Sequence, residues 1–222
     1  MSATREFQER LRRRAREEDV ALSSDLCVQI EGYYRLLSKW NAKVNLTALN
    51  LPPGGEDQAM DRLLIEPLIA ARHLPARSTV VLDAGSGGGS PAIPLKLAAP
   101  HLSLRMVESK TRKSAFLREA VRTLALTHTV VETVRVEELL ARPDMHESAD
   151  VVTVRAVRLE PTLLQTLQAF VRPSGHLLLF RGPEGGAAES VMPPLFWEAT
   201  FPLVRSLRSR LVVLTKPPVG RG

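Results

Sequence analysis

The sequence predicts an α/β fold, a mostly parallel sheet covered by helices on both faces and preceded by a helical N-terminal extension. Three observations carry this. From Ser78 onward, short apolar runs alternate with helical stretches, the pattern of strand–helix–strand units around a parallel sheet. Those runs are almost continuously apolar, which suits strands covered on both faces. Before Ser78 the apolar residues recur instead at steps of three and four, the period of amphipathic helices. The expected division is a helical extension over residues 1–75 and a sheet-bearing domain over 76–222.

Residues 5–19 mix both charges densely, with Phe7 and Leu11 as apolar anchors, and read as a solvated helix. Residues 11–16 carry four arginines. These either meet phosphate or, on the plainer reading, form a surface face with i,i+4 pairs. From Ser24 to Val44, Leu26, Ile30, Tyr33, Leu37, Trp40 and Val44 define an amphipathic helix, with Ser24 or Asp25 as its cap. Leu51-Pro52-Pro53-Gly54-Gly55 is a loop. A second apolar-faced helix is expected from residue 61 towards 73, kinked or delayed by Pro67. Strands are expected over residues 79–83, 102–108, 130–136, 151–154 and 175–180, with helices over 111–126 and 163–171. A final strand over Leu211-Val212-Val213-Leu214-Thr215 follows the Pro193-Pro194 break.

The chain has 222 residues, 44% hydrophobic and 24% charged. That is close to the globular average and argues against disorder. A chain of this length buries roughly 70% of its unfolded surface, enough for a core without staples. The lone Cys27 excludes an internal disulfide framework and every multi-cysteine metal site. His73, His101, His128, His146 and His176 are dispersed without ligand spacing, so no metal is expected. No run approaches the roughly 20 apolar residues of a membrane span, and residues 1–6 lead into charge and not into a signal region. The expectation is a soluble, cytoplasmic protein with no membrane contact. Thirty Lys and Arg against 24 Asp and Glu leave a net charge of +6. Such an excess suits a polyanion, yet also occurs in proteins that bind none.

Asp83-Ala84-Gly85-Ser86-Gly87-Gly88-Gly89-Ser90 follows the first predicted strand and opens a helix. A dinucleotide fingerprint needs Gly-x-Gly-x-x-Gly to seat a pyrophosphate. Here the glycines fall at Gly85, Gly87 and Gly89, with Ser90 in the sixth position and Asp83 ahead of the loop. That favours a cationic ligand without phosphates, such as S-adenosyl-L-methionine. Glu108 closes the second strand 19 residues after Gly89, where a carboxylate can accept from both ribose hydroxyls. A nicotinamide cofactor and a purely structural loop are the alternatives.

Trp40-Asn41-Ala42-Lys43-Val44-Asn45-Leu46-Thr47 resembles the signature of the glucose-inhibited division protein B family, methyltransferases that modify N7 of a guanine in small-subunit (16S) ribosomal RNA. Three further blocks agree in order and spacing: residues 83–94 with their Pro91-x-x-Pro94 tail; Glu108-Ser109 with Arg112-Lys113 and Phe116-Leu117; and Asp150 through Val157. The resemblance covers about residues 30–182 and the last strand. It implies a class I methyltransferase with a Rossmann-like sheet, mostly parallel with the last strand antiparallel. It also implies cofactor contacts on Gly85, Ser90, the backbone near Val136 and Glu137, and Arg155, with Glu108 on the ribose. The chain departs from the family pattern at Ser90, Ala92, Leu63, Glu66, Pro67 and Phe180-Arg181-Gly182, while Arg62 is kept.

Guanine N7 presents a lone pair in the major groove, so methylation there needs positioning and not prior proton removal. No Asn/Asp-Pro-Pro-Tyr motif follows the fourth strand, which disfavours methylation of an exocyclic amine. Cys27 lies in an N-terminal helix, which disfavours thiolate attack on a pyrimidine and leaves it a packing role. Arg155, just past strand four, is the candidate catalytic group, to orient the guanine or the cofactor carboxylate; the plainer alternative is a solvated strand-end arginine. Lys110, Arg112, Lys113, Arg118 and Arg122 share the polar side of one helix. Cations in its first turn oppose the helix dipole, which leaves phosphate contact and a solvated face as even readings. With Arg62 and Arg181, Arg112, Lys113, Arg118 and Arg122 form the candidate RNA-binding set. The expected partner is ribosomal RNA or the small ribosomal subunit, bound by a monomer. Methylation of a small molecule or protein, and a non-catalytic RNA-binding module, are the competing functions.

Overall fold

The computed structural model describes residues 2–76, 80–155, 160–183 and 191–218. Seven strands form its one sheet: β1 Val80–Ala84, β2 Ser103–Val107, β3 Thr129–Glu132, β4 Ala149–Arg155, β5 Val171–Arg181, β6 Phe196–Pro202 and β7 Arg210–Thr215. Their order is β3-β2-β1-β4-β5-β7-β6. The first five run parallel, and β7 is antiparallel to both of its neighbours. The expected α/β sheet with an antiparallel last strand is therefore present.

Side chains alternate between two apolar layers, as the pleat requires. Val81, Leu104, Met106, Val151, Leu178 and Phe180 face one layer, shared with α5 (Ala92–Ala98) and α6 (Thr111–Thr123). Leu82, Val107, Val152, Leu177 and Leu179 face the other, under α7 (Pro161–Phe170) and the short turn Val136–Ala141. The extension joins the first layer. Phe7 and Leu11 of α1 (Ala3–Glu17) and Tyr33 and Leu37 of α2 (Ser24–Val44) are fully buried in the same cluster as Phe116. Cys27 is buried there too.

Several local expectations shift. Ser23, not Ser24 or Asp25, caps α2, its hydroxyl accepting from Leu26 N at 3.1 Å. The next helical segment starts earlier than residue 61, as α3 (Asp57–Met60), and passes through a π turn (Asp61–Ile65) into α4 (Glu66–Ala70). Pro67 falls in the first turn of α4, where its missing N–H is tolerated, directly after the π turn. β3 stops at Glu132, four residues short, because Val136 already begins a 3-10 turn. β5 starts at Val171, the residue at which the sequence pattern ends the preceding helix. The sequence pattern does not predict β6, because it is an edge strand with little buried surface, and Phe196 and Trp197 are 55% and 60% exposed.

The arginines of α1 are not simply solvated. Arg14 is largely buried and reaches Asp61 at 2.5 Å, and Arg13 holds Asp57 at 2.9 Å. These bonds tie α1 to α3 and the π turn. No helix among the described residues is long and apolar enough to cross a membrane.

Candidate cofactor and substrate site

β1 and β4 are neighbours, with Ala84 beside Val154, and β1 has β2 on its other side. The carboxyl ends of β1 and β4 therefore lie side by side where the strand order reverses, the place at which open α/β sheets hold ligands. The glycine loop follows β1 there. Gly85, Gly87 and Gly89 have φ of +73°, +49° and +86°, a region L-residues rarely enter. Gly85 N and Ser86 N both donate to Val107 O, at 2.9 and 3.0 Å. Tyr33 clasps the loop from α2, its hydroxyl donating to Gly88 O at 2.7 Å.

Two cavities meet at this loop. A cavity of about 370 Å³ is lined by Gly85, Val107, Glu108, Ser109, Val136 and Glu137, among others. A cavity of about 530 Å³ holds Leu46, Thr47, Arg62, Lys113, Arg155 and Phe180. Gly85 lines both. The Glu108 carboxylate accepts from Gly87 N at 2.9 Å and from Lys110 N at 2.8 Å, which aims it and leaves lone pairs on both oxygens.

Asp83 is almost wholly buried. Thr153 Oγ1 donates to its Oδ1 at 2.6 Å, while its Oδ2 has no hydrogen-bond partner. Burial pushes this carboxyl above the usual carboxylate range, against the Ser86 and Thr153 hydroxyls and the Arg155 charge, which pull it down. A buried carboxylate oxygen left without a donor is a costly arrangement.

Arg155 forms the far wall of the larger cavity. Its guanidinium bonds Glu66 of α4, donates to Ser90 Oγ at 2.8 Å and lies 5.3 Å over the Phe180 ring. Ser90 Oγ in turn donates to Leu63 O at 2.8 Å. Glu66 also approaches Arg62 at 3.5 Å. Glu66 is 1% exposed; burial raises its carboxyl, and Arg155 opposes the rise. One buried carboxylate thus joins the two arginines of the cavity.

The chain matches the GidB family, rRNA small subunit methyltransferase G, over residues 26–189. It belongs to that family. A ribosomal RNA small subunit methyltransferase G of Sorangium cellulosum is 35% identical, over 91% of this chain and 80% of its own length. Its counterpart in Syntrophotalea carbinolica is 29% identical, over 95% of this chain and 99% of its own. Among solved structures, a SAM-dependent methyltransferase from Aquifex aeolicus superposes with a TM-score of 0.55. It covers 72% of this chain and 93% of its own at 13% identity, a likeness of fold.

The geometry explains the signature of the GidB family in this chain. Trp40 sets its ring edge-on against buried Phe116, centroids 5.9 Å apart. Asn45 ends α2 in the left-handed conformation, and Asn41 Oδ1 accepts from Leu46 N and Thr47 N at 2.7 and 2.9 Å. That turn delivers Leu46 and Thr47 into the larger cavity.

The sequence-predicted site residues separate into groups. Gly85, Gly87, Ser90, Arg62, Lys113 and Arg155 converge on the larger cavity, and Gly85, Glu108, Val136 and Glu137 on the smaller. Asp83 lies beneath the loop, lining neither. Gly89 also lines neither; a Cβ there would stand 2.5 Å from Ile93 Cδ1. Arg112 is exposed at the start of α6. Arg118 turns to Thr133, and Arg122 is committed to Glu119. Arg181 ends β5 opposite Arg210, and its neighbour Gly182, not Arg181, lines the larger cavity. Residues 156–157 of the fourth block lie outside the described residues. Sequence reasoning missed Tyr33 and Glu66 as parts of the site. Tyr33 sits on an apolar stripe and reads as core, and Glu66 shows itself only once Arg155 is seen beside it.

Proposed function

We propose that this chain methylates N7 of a guanine in small-subunit (16S) ribosomal RNA, with S-adenosylmethionine as the methyl donor. One observation carries the choice of atom. The side chains of ordinary titrating type lining the larger cavity are Arg62, Lys113 and Arg155, with no carboxylate, imidazole or thiol among the described lining residues. An amine or hydroxyl nucleophile gives up a proton, and these cations cannot take it. Guanine N7 offers its lone pair directly, so holding the partners in line and excluding water is sufficient.

The chain's residues fit the donor. Glu108 would accept from the ribose hydroxyls. Gly85, common to both cavities, would pass beneath the ligand where no Cβ intrudes, and the Asp83 carboxyl beneath the loop would favour its positive charge through space and not by contact. When bound, S-adenosylmethionine supplies an electrophilic methyl. Arg155 is fixed by Glu66, Ser90 and Phe180, a preorganised wall against which a base can be held. Arg62 and Lys113 set positive charge at the same cavity for the phosphates of a polyanionic substrate. Within this reading residues 76–222 hold the donor, and the extension over 1–75 supplies the substrate side through Leu46, Thr47 and Arg62.

Transfer of tritiated methyl from S-adenosylmethionine into small ribosomal subunits and naked 16S RNA tests the reading. Borohydride–aniline scission then locates 7-methylguanine. Label at another atom, or none in either RNA, overturns it.

A further inference from the structure

A second groove lies beside the site. A cavity of about 300 Å³ opens between the end of α2 and the middle of α6, lined by Lys39, Trp40, Lys43, Val44 and Glu119. Lys39 and Lys43 are exposed and one helical turn apart. Like charges at that spacing weaken a helix. The helix dipole accounts for Lys43, in the last turn, but not for Lys39. Glu119, the acid of the lining, is held on both oxygens by Arg122, at 3.0 and 2.7 Å. No ion pair within 4 Å joins either lysine to a carboxylate among the described residues, and Lys39 reaches Glu119 only through the field that helps lower that carboxyl, behind the larger effect of Arg122.

The groove also holds an aromatic surface. Phe116 fixes the Trp40 indole edge-on from below and leaves it half-buried. Paired cations alone would suit any polyanion. Cations flanking an aromatic ring are the combination that single-stranded nucleic acid uses, phosphates on the charges and a base against the ring. The groove and the site share no lining residue, but both draw on the end of α2 and on α6. After Val44 the chain turns at Asn45, and Leu46 and Thr47 line the larger cavity. On α6, Lys113 of that cavity and Glu119 of the groove are six residues apart, about 9 Å along the helix and about 120° around it, so a strand joining them would wrap the helix.

We infer that this groove carries the RNA strand flanking the target nucleotide, with phosphates on Lys39 and Lys43 and a base against Trp40. The inference rests on the RNA substrate proposed above. It adds α2, outside the basic helix face, to the binding surface and gives the strand a direction across the protein.

The chain holds two tryptophans, so Trp197→Phe on the exposed edge strand leaves Trp40 as the sole indole. In that background, titration with single-stranded oligouridylate is expected to quench Trp40 fluorescence. Lys39→Gln/Lys43→Gln should lower the slope of log affinity against log salt by about 1.4, at about 0.7 for each phosphate no longer neutralised. The same double variant should raise KM for 16S RNA about tenfold at low salt, because two charge-assisted hydrogen bonds to phosphate are removed, with S-adenosylmethionine affinity held. A wild-type salt slope in the double variant overturns the inference. So does a variant impaired on assembled subunits but unchanged on naked RNA and oligouridylate, since the groove would then meet ribosomal protein. Absence of methyl transfer by the wild-type chain would instead strike the substrate reading, and the oligouridylate titrations judge the groove without it.

Discussion

The Glu66 carboxylate and the Arg155 guanidinium form a buried ion pair between the helical extension and the end of β4, with side chains 1% and 10% exposed. Removing one partner leaves an uncompensated charge, which costs about 3–5 kcal/mol in such settings. Glu66→Ala and Arg155→Ala should each lower the unfolding free energy by that amount, read from urea titrations. Replacing both with apolar residues of similar volume, as in Glu66→Leu/Arg155→Met, should restore most of the stability. Methyl transfer should stay lost in the double variant. An active double variant would show that the pair serves folding alone.

Asp83 yields a pH-dependent prediction. Burial raises its carboxyl in the folded state, so the folded chain holds that proton more tightly than the unfolded chain. The stability this contributes is full at low pH and is lost as pH rises from the ordinary carboxylate value through the raised one. Asp83→Asn removes the charge that burial disfavours. Its unfolding free energy relative to wild type should therefore be near zero in acid, climb across that interval and stay high at neutral pH. Each kcal/mol gained moves Tm by about 2–4 °C in a chain of this size. S-adenosylmethionine affinity should fall by a few-fold at most, because Asp83 lines neither cavity and acts on the ligand through its charge and not by contact. Calorimetry and thermal melts across pH measure both.

Tyr33→Phe removes one hydroxyl and leaves Gly88 O, its acceptor at 2.7 Å, without that bond. A loss of about 1–3 kcal/mol is expected for a buried unsatisfied group, together with weaker cofactor binding from a loosened loop. Burial keeps the Tyr33 phenol far above its ordinary range, so neither effect should vary with pH across the neutral and mildly alkaline range. Urea unfolding and cofactor titration at several pH values check both.

Gly89→Ala should destabilise by about 1–3 kcal/mol, because φ is +86° and the new Cβ meets Ile93. Gly89 lines neither cavity of the site, so affinity among molecules that still fold should change little. Equilibrium unfolding and cofactor titration separate the two effects.

Along α6, Lys113→Gln should raise KM for RNA, because Lys113 lines the larger cavity. Arg118→Gln should leave it near wild type, because Arg118 is turned to Thr133 and lines neither the cavity nor the groove. Equal effects would mean that the whole helix face, not its first turn, meets phosphate.

The sheet was legible in the sequence because its central strands are nearly all apolar. β6 was not, because an edge strand buries too little to impose a pattern. The glycine loop and Glu108 were legible as chemistry, since a left-handed turn and a strand-end carboxylate are local features. Charge was legible only as a sum. Which arginines are committed to carboxylates, as Arg14 is to Asp61 and Arg122 to Glu119, depends on helices meeting in space. The same limit concealed Glu66, whose partner lies 89 residues away.

Phe7, Leu11, Tyr33 and Leu37 lie in one apolar cluster with Phe116 and Val81, so the helical extension and the sheet share one interior and should melt as a single cooperative unit. Such a protein cannot trade its recognition segment for another without rebuilding half its interior. Selection on which RNA it reads is therefore coupled, residue by residue, to whether it folds.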